Sequence, residues 1–144
     1  GGGQSDEMQK LIAHATRLAV HDNIIFTGYT PDEKLPKLYQ AADIFAFSTY
    51  YEHHPFAVLE ALSSQLPVVT TNVGGIPETI TNGKDGYMCR PFDAQAFSDC
   101  ILFLLDHPAE AEEMAIQARK TVTERFDWRI VVKELVKVYD ETLC

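Results

Sequence analysis

The stretch "STYYEHHPFAVLEALSSQLPVV", residues 48–69, decides the fold. It runs from an aromatic and polar loop into a helix and then into a β-branched strand. Pro55 opens the helix, which extends to about Gln65; at a first helical position the missing proline N–H costs nothing. "DIFAFS" (43–48) reads as a short apolar strand before the loop, and "PVVTT" (67–71) as another after the helix. Strand, helix, strand is the crossover that parallel sheets require. The stretch also carries two carboxylates, Glu52 ahead of the helix and Glu60 inside it, with seven residues between them.

Working outward, the same alternation continues. Upstream, "EMQKLIAHATRLAV" (7–20) places Met8, Leu11, Ile12, Ala15, Leu18 and Ala19 on one helical face, with Ser5 as its N-cap. "NIIF" (23–26) reads as a buried strand, and "EKLPKLYQAA" (33–42) as a short helix that tolerates Pro36 only in its first turn. Downstream come a turn "NVGG", a brief helix "IPETI", a turn "TNGKDG" and a strand "YMC" (87–89). Helices then follow over 94–105, 109–125 and 128–143. In the last, Trp128, Val131, Val132, Leu135, Val138 and Tyr139 form a stripe that reads as core packing. The expectation is one α/β domain over 1–144, doubly wound and Rossmann-like, with a mainly parallel sheet and a helical C-terminus.

Composition narrows the function. A net charge of −9 argues against nucleic-acid binding, which needs lysine and arginine excess, and makes anionic membrane surfaces a poor partner. Cys89, Cys100 and Cys144 are few, odd in number and far apart in sequence, so they outline neither a metal site nor a disulfide framework. A reducing cytosol is the default compartment on that basis.

In parallel open sheets, ligands bind beyond the carboxyl ends of the strands, where loops enter helix N-termini. Three loops qualify: "TGYTPDEK", "STYYEHH" and "TNVGG". The free N–H groups of the helix starting at Pro55 suit a phosphate. A diphosphate there would lie between Glu52 and Glu60, each able to accept hydrogen bonds from a polyol. Ribose, diphosphate and hexose in series, a nucleotide sugar, have that anatomy.

"GGG", "IIFTGY", "LYQAADIFAFST", "EHHPFAVLEALSSQLPVVTTNVGGIPETITNGKDGYMCRP" and "ERFDW", in that order, resemble the C-terminal, donor-binding domain of group 1 retaining glycosyltransferases. That is the C-terminal half of a GT-B fold. The resemblance implies that Glu60 binds the donor ribose and that Glu52, as the catalytic carboxylate, stands near the transferred sugar. It implies that backbone around His54, Pro55, Phe56 and Ala57 approaches the sugar and diphosphate, and that Gly28, Tyr29 and Thr30 lie along the base. The implied reaction moves a hexose from a nucleoside-diphosphate sugar to a saccharide, lipid or small-molecule acceptor, with no metal or other cofactor.

Two departures qualify the match. Many members have glycine between the glutamates, whereas this chain has "HHPFA", so Phe56 and Ala57 must supply the N–H groups. The family's domain also opens with a strand bearing an arginine and a lysine, ahead of the glycine-rich turn at which this chain starts. In a 3-2-1-4-5-6 order the sheet's first two strands would then be missing between "NIIF" and "DIFAFS". The fragment by itself is expected to be inactive.

Plainer readings stand beside these. His53 and His54 are adjacent in a loop with no evident third ligand, so a metal pair is disfavoured; His54 better suits helix capping or a sugar contact. Gly74 and Gly75 mark either a turn or a close backbone approach to the donor. Tyr50 and Tyr51 wall a cleft. "GGG" lacks the spacing of a dinucleotide fingerprint. Two other functions compete: a GT-B sugar-nucleotide epimerase, and a non-catalytic module that packs on another chain or on itself through exposed sheet edges.

Overall fold

The structure, a computed structural model, describes residues 3–143. Gly1, Gly2 and Cys144 lie outside the described residues, as does the Ser5 side chain expected to cap the first helix. The chain divides into two compact units, Gly1–Pro31 and Asp32–Cys144.

The first unit is built on helix α1 (Gly3–Arg17), which begins before the expected Glu7. Just past its end Ala19 is left-handed at φ 55°, and Val20 N–H closes back on the Ala15 carbonyl at 3.0 Å. A 3-10 turn, His21–Asn23, follows. The strand expected at 23–26 is a correction. Ile24 is extended at φ −115° and ψ 128°, yet none of the strand ladders in the described residues includes it, and Ile25 is 88% exposed. Extended backbone becomes a strand only when a neighbour takes up its N–H and C=O groups.

The second unit contains helix α2 (Leu35–Ala41), strand β1 (Phe45–Phe47), helix α3 (Phe56–Ser63), strand β2 (Val68–Thr71) and helix α4 (Ile76–Thr79). Strand β3 (Tyr87–Cys89) and helices α5 (Ala94–Asp106), α6 (Pro108–Arg125) and α7 (Trp128–Leu143) complete it. The strands form a parallel sheet in the order β1-β2-β3, pairing Ala46 with Val69 and Thr70 with Met88. Each crossover inserts a helix, as the quoted stretch required.

Strand β2 is central and wholly buried. Because side chains alternate across a strand, Val68 points to one face and Val69 to the other. Val68 belongs to one buried cluster with Tyr39, Val58, Ala61, Leu62, Ile76 and Ala118. Val69 belongs to a second, with Cys89, Leu104 and Met114. Helix α3 supplies Val58, Ala61 and Leu62 at i, i+3 and i+4, the spacing that sets three residues on one helical face. Past its Ser64 cap, Gln65 is left-handed at φ 58° and Leu66 N–H returns to the Ala61 carbonyl at 3.1 Å.

Two further expectations change. The apolar stripe of α7 is not core: Trp128 is 72% exposed and Leu135 53%, and the packing of α7 on its neighbours is slight, chiefly against α6. Cys89 and Cys100, eleven residues apart, face each other across β3 and α5 with their sulfurs 3.6 Å apart as free thiols. Burial, with the neighbouring thiol, pushes Cys89 up to about 12.

Candidate functional site

The loop between β1 and α3 is fastened to the loop after β2 by hydrogen bonds. Thr49 N–H donates to Thr71 Oγ1 at 3.0 Å, and Thr71 Oγ1 donates to the Thr49 carbonyl at 2.6 Å. Gly75 N–H donates to the Glu52 carbonyl at 3.1 Å. The two glycines are needed for this seam. A Cβ on Gly74 would stand 1.7 Å from the Glu52 oxygen, and one on Gly75 1.8 Å from the His53 oxygen. The close backbone approach at "GG" is therefore to the chain's own loop, the one that carries Glu52. Gly74 is in addition left-handed, at φ 53°.

Glu52 is held at the carboxyl edge of the sheet, where its Oε1 accepts the His53 N–H at 3.1 Å. Tyr51 Oη lies 2.6 Å from His53 Nε2, so the histidine is engaged by a neighbour in the loop. Among the described residues no group of three His, Cys, Asp or Glu could hold a metal ion. His54 makes no capping hydrogen bond among the described residues; its ring lies 5.7 Å from that of Phe126.

Pro55 proves to be the N-cap of α3, not its first residue, with φ −75° and ψ 101°. Val58 and Leu59 N–H close onto the Pro55 carbonyl at 3.0 and 3.2 Å. The N–H groups of Phe56 and Ala57 come before that ladder, and no side chain caps them. They form the positive end of the helix dipole and can receive an anion. At the other end of α3, Arg119 donates to the Ser63 carbonyl and hydroxyl, matching a cation to the negative end.

Glu60 projects from the middle of α3 to the surface, between two concavities. It lines a groove of about 600 Å³ together with His54, Phe56, Arg119, Phe126 and Trp128. It also lines a smaller one of about 250 Å³, with Asp32, Leu35, Tyr39, Ser63 and Ser64. Tyr39 Oη donates to Glu60 Oε2 at 3.0 Å. The sequence reading gave Tyr39 no role. An aromatic in "LYQAAD" was visible, but nothing in the chain order says that it reaches a carboxylate 21 residues away.

Glu52, His54, Pro55, Phe56, Ala57 and Glu60 thus occupy one loop and one helix of the second unit. Gly28, Tyr29 and Thr30 belong to the first unit. There Gly28 is left-handed at φ 62° with open space where a Cβ would stand, and Tyr29 is 87% exposed.

A parallel sheet with helices at its crossovers, and uncapped helix N–H groups at its carboxyl edge, defines the class as a Rossmann-like α/β fold. The comparisons agree. A family described as glycosyl transferases group 1 matches residues 2–121. A glycogen synthase of Mycobacterium tuberculosis is 32% identical over 95% of this chain and 33% of its own length. O-antigen chain mannosyltransferase B of Escherichia coli is 33% identical over 96% of the chain and 35% of its own. Among solved structures, Anabaena HepE in complex with UDP superposes with a TM-score of 0.91 at 25% identity, over 98% of this chain and 38% of that one. The chain belongs to the group 1 family of glycosyl transferases. It spans about a third of the length of the curated relatives it matches.

Proposed function

We propose that this chain is the donor-binding part of a retaining hexosyltransferase and holds a nucleoside-diphosphate sugar at the N-terminus of α3. The carrying observation is that α3 begins with two uncapped N–H groups, flanked by Glu52 in the preceding loop and Glu60 four residues into the helix. The diphosphate accepts from Phe56 and Ala57 N–H. As the anomeric C–O bond breaks, charge grows on the leaving phosphate, and the helix dipole opposes that charge where it develops. Glu52, the catalytic carboxylate of this reading, faces the sugar and favours positive charge at the anomeric carbon. Glu60 accepts the ribose hydroxyls. The uridine ligand of HepE makes UDP the first nucleotide to test.

A residue-resolved NMR titration with UDP, GDP and ADP tests this. Shifts at Phe56–Glu60 are expected, and Glu60→Ala should weaken binding by about 1–3 kcal/mol. Unchanged affinity in that variant removes Glu60 from the site. The anomeric configuration of product from the longer protein tests retention; an inverted product ends that part of the proposal.

One observation favours a second reading, a module that packs on another polypeptide: the exposed apolar stripe of α7. Light scattering separates the two. A clean monomer counts against self-association, and a defined dimer supports it.

A further inference from the structure

Tyr39 is a buried side chain with a polar end, and a buried hydroxyl needs a partner. Its ring is part of the core, tilted against Phe45 with centroids 5.6 Å apart. The residue lines the smaller concavity, and its hydroxyl lies 3.0 Å from Glu60 Oε2 and 3.4 Å from the Ala57 carbonyl. A phenol has one proton to give, and the carboxylate is both the nearer and the stronger acceptor. Burial first, and then the bond to Glu60, push the Tyr39 phenol up to about 12, so it remains a donor throughout the neutral range.

Consider what Glu60 does without this bond. An exposed glutamate on a helix samples several rotamers, and fixing it costs side-chain entropy. A ligand that needs the carboxylate in one place must supply that ordering when it binds. With Oε2 already tied to a rigid ring, the cost is met in the folded protein. Oε1 and the second lone pair of Oε2 remain for a ligand.

We infer that Tyr39 is a positioning residue that fixes the Glu60 carboxylate, with one oxygen occupied and the other turned out, to receive the vicinal hydroxyls of the donor's ribose. The inference rests on the donor-binding reading above. It adds a residue from a different helix, α2, and divides the work: Tyr39 orients the carboxylate and Glu60 touches the ligand.

Tyr39→Phe keeps the ring in the core and removes only the hydroxyl. Calorimetry would use whichever of UDP, GDP and ADP binds most tightly, together with its 2′,3′-dideoxy analogue. Tyr39→Phe should weaken the ribonucleotide about 3- to 10-fold, the loss expected for one hydrogen bond, and leave the dideoxy analogue unchanged. A purely structural role would weaken both alike and would overturn the inference. Equal ribonucleotide affinity in parent and Tyr39→Phe, with Glu60→Ala impaired, also overturns it while sparing the donor reading. If Glu60→Ala binds like the parent, or no nucleotide binds, the donor reading fails and this inference with it. A second measurement needs no ligand: in Glu60→Gln, which has no charge to hold the proton, the raised tyrosine titration should move down. No change there means the bond is absent and sinks the proposal.

Discussion

Replacing Gly75 by alanine tests whether the seam between the β1–α3 and β2–α4 loops sets the position of Glu52. Gly75 has φ −83°, a value open to any residue, so the substitution carries no backbone strain. Its effect is steric alone. The new Cβ would stand 1.8 Å from the His53 carbonyl oxygen and 3.0 Å from its carbon. Relieving that contact requires the loop to retreat by at least about 1 Å, and overpacking of this kind costs about 1–3 kcal/mol. Retreat also stretches the 3.1 Å bond from Gly75 N–H to the Glu52 carbonyl, a further loss of about 0.5–1.5 kcal/mol. Together these predict a loss of about 1.5–4.5 kcal/mol, or, at a urea slope of about 2 kcal/mol/M, a fall of about 1–2 M in the midpoint followed by circular dichroism. Amide shifts should move from Thr49 to His54. Gly83→Ala is the control: its φ of 77° carries strain, but the nearest atom is 4.0 Å away, so it should cost only about 1 kcal/mol and leave the Glu52 loop unmoved. An unchanged midpoint and unchanged loop shifts in Gly75→Ala would refute the steric argument.

Leu62 is fully buried against Val68 and Ile76, and Leu62→Ala should cost about 2–5 kcal/mol in denaturant melts; a loss under about 1 kcal/mol would mean the site collapses freely. Asp85, 1% exposed, accepts Thr81 N–H at 2.6 Å and Thr121 Oγ1 at 2.7 Å, tying the "TNGKDG" turn to α6. Asp85→Ala should therefore cost about 1–3 kcal/mol, and its companion Thr121→Val should add little once Asp85 is gone. Tyr39 also makes stability depend on alkaline pH. Its folded value of about 12 lies above the ordinary 10.0, so the unfolded chain loses this proton first. The contribution is whole below pH 10 and is lost as pH rises towards 12. Tyr39→Phe should flatten the decline of melting temperature across that window, and an identical decline in the variant would count against the assignment.

Much of this protein was legible in order and type of residue. Alternation of short β-branched or aromatic strands with helices dictated a parallel sheet, because only crossover helices join parallel neighbours at that spacing. Pro55, the apolar spacing of α3 and the glutamate pair located the loop–helix junction, and all three are local features. Even the two free N–H groups followed from the proline, which cannot donate. Where the reading failed, the deciding partner was remote. "NIIF" has strand composition, but a strand exists only if another backbone pairs with it, and no described strand does. The stripe of α7 has core periodicity, but periodicity shows which face is apolar and not what covers it.

Only the tertiary structure decided the rest. It turned Gly74 and Gly75 from generic turn residues into the close contact that seats Glu52, since a missing Cβ has meaning only beside the atom it would strike. It brought Cys89 and Cys100 together from opposite sides of a turn and a helix start. It set the Tyr39 hydroxyl on Glu60 across 21 residues of chain, joining two helices whose own sequences carry no mark of the other. Local propensity and periodicity lie in the sequence because they act over a few residues. Hydrogen bonds and steric limits between distant segments depend on how those segments pack, and that is settled only in the fold.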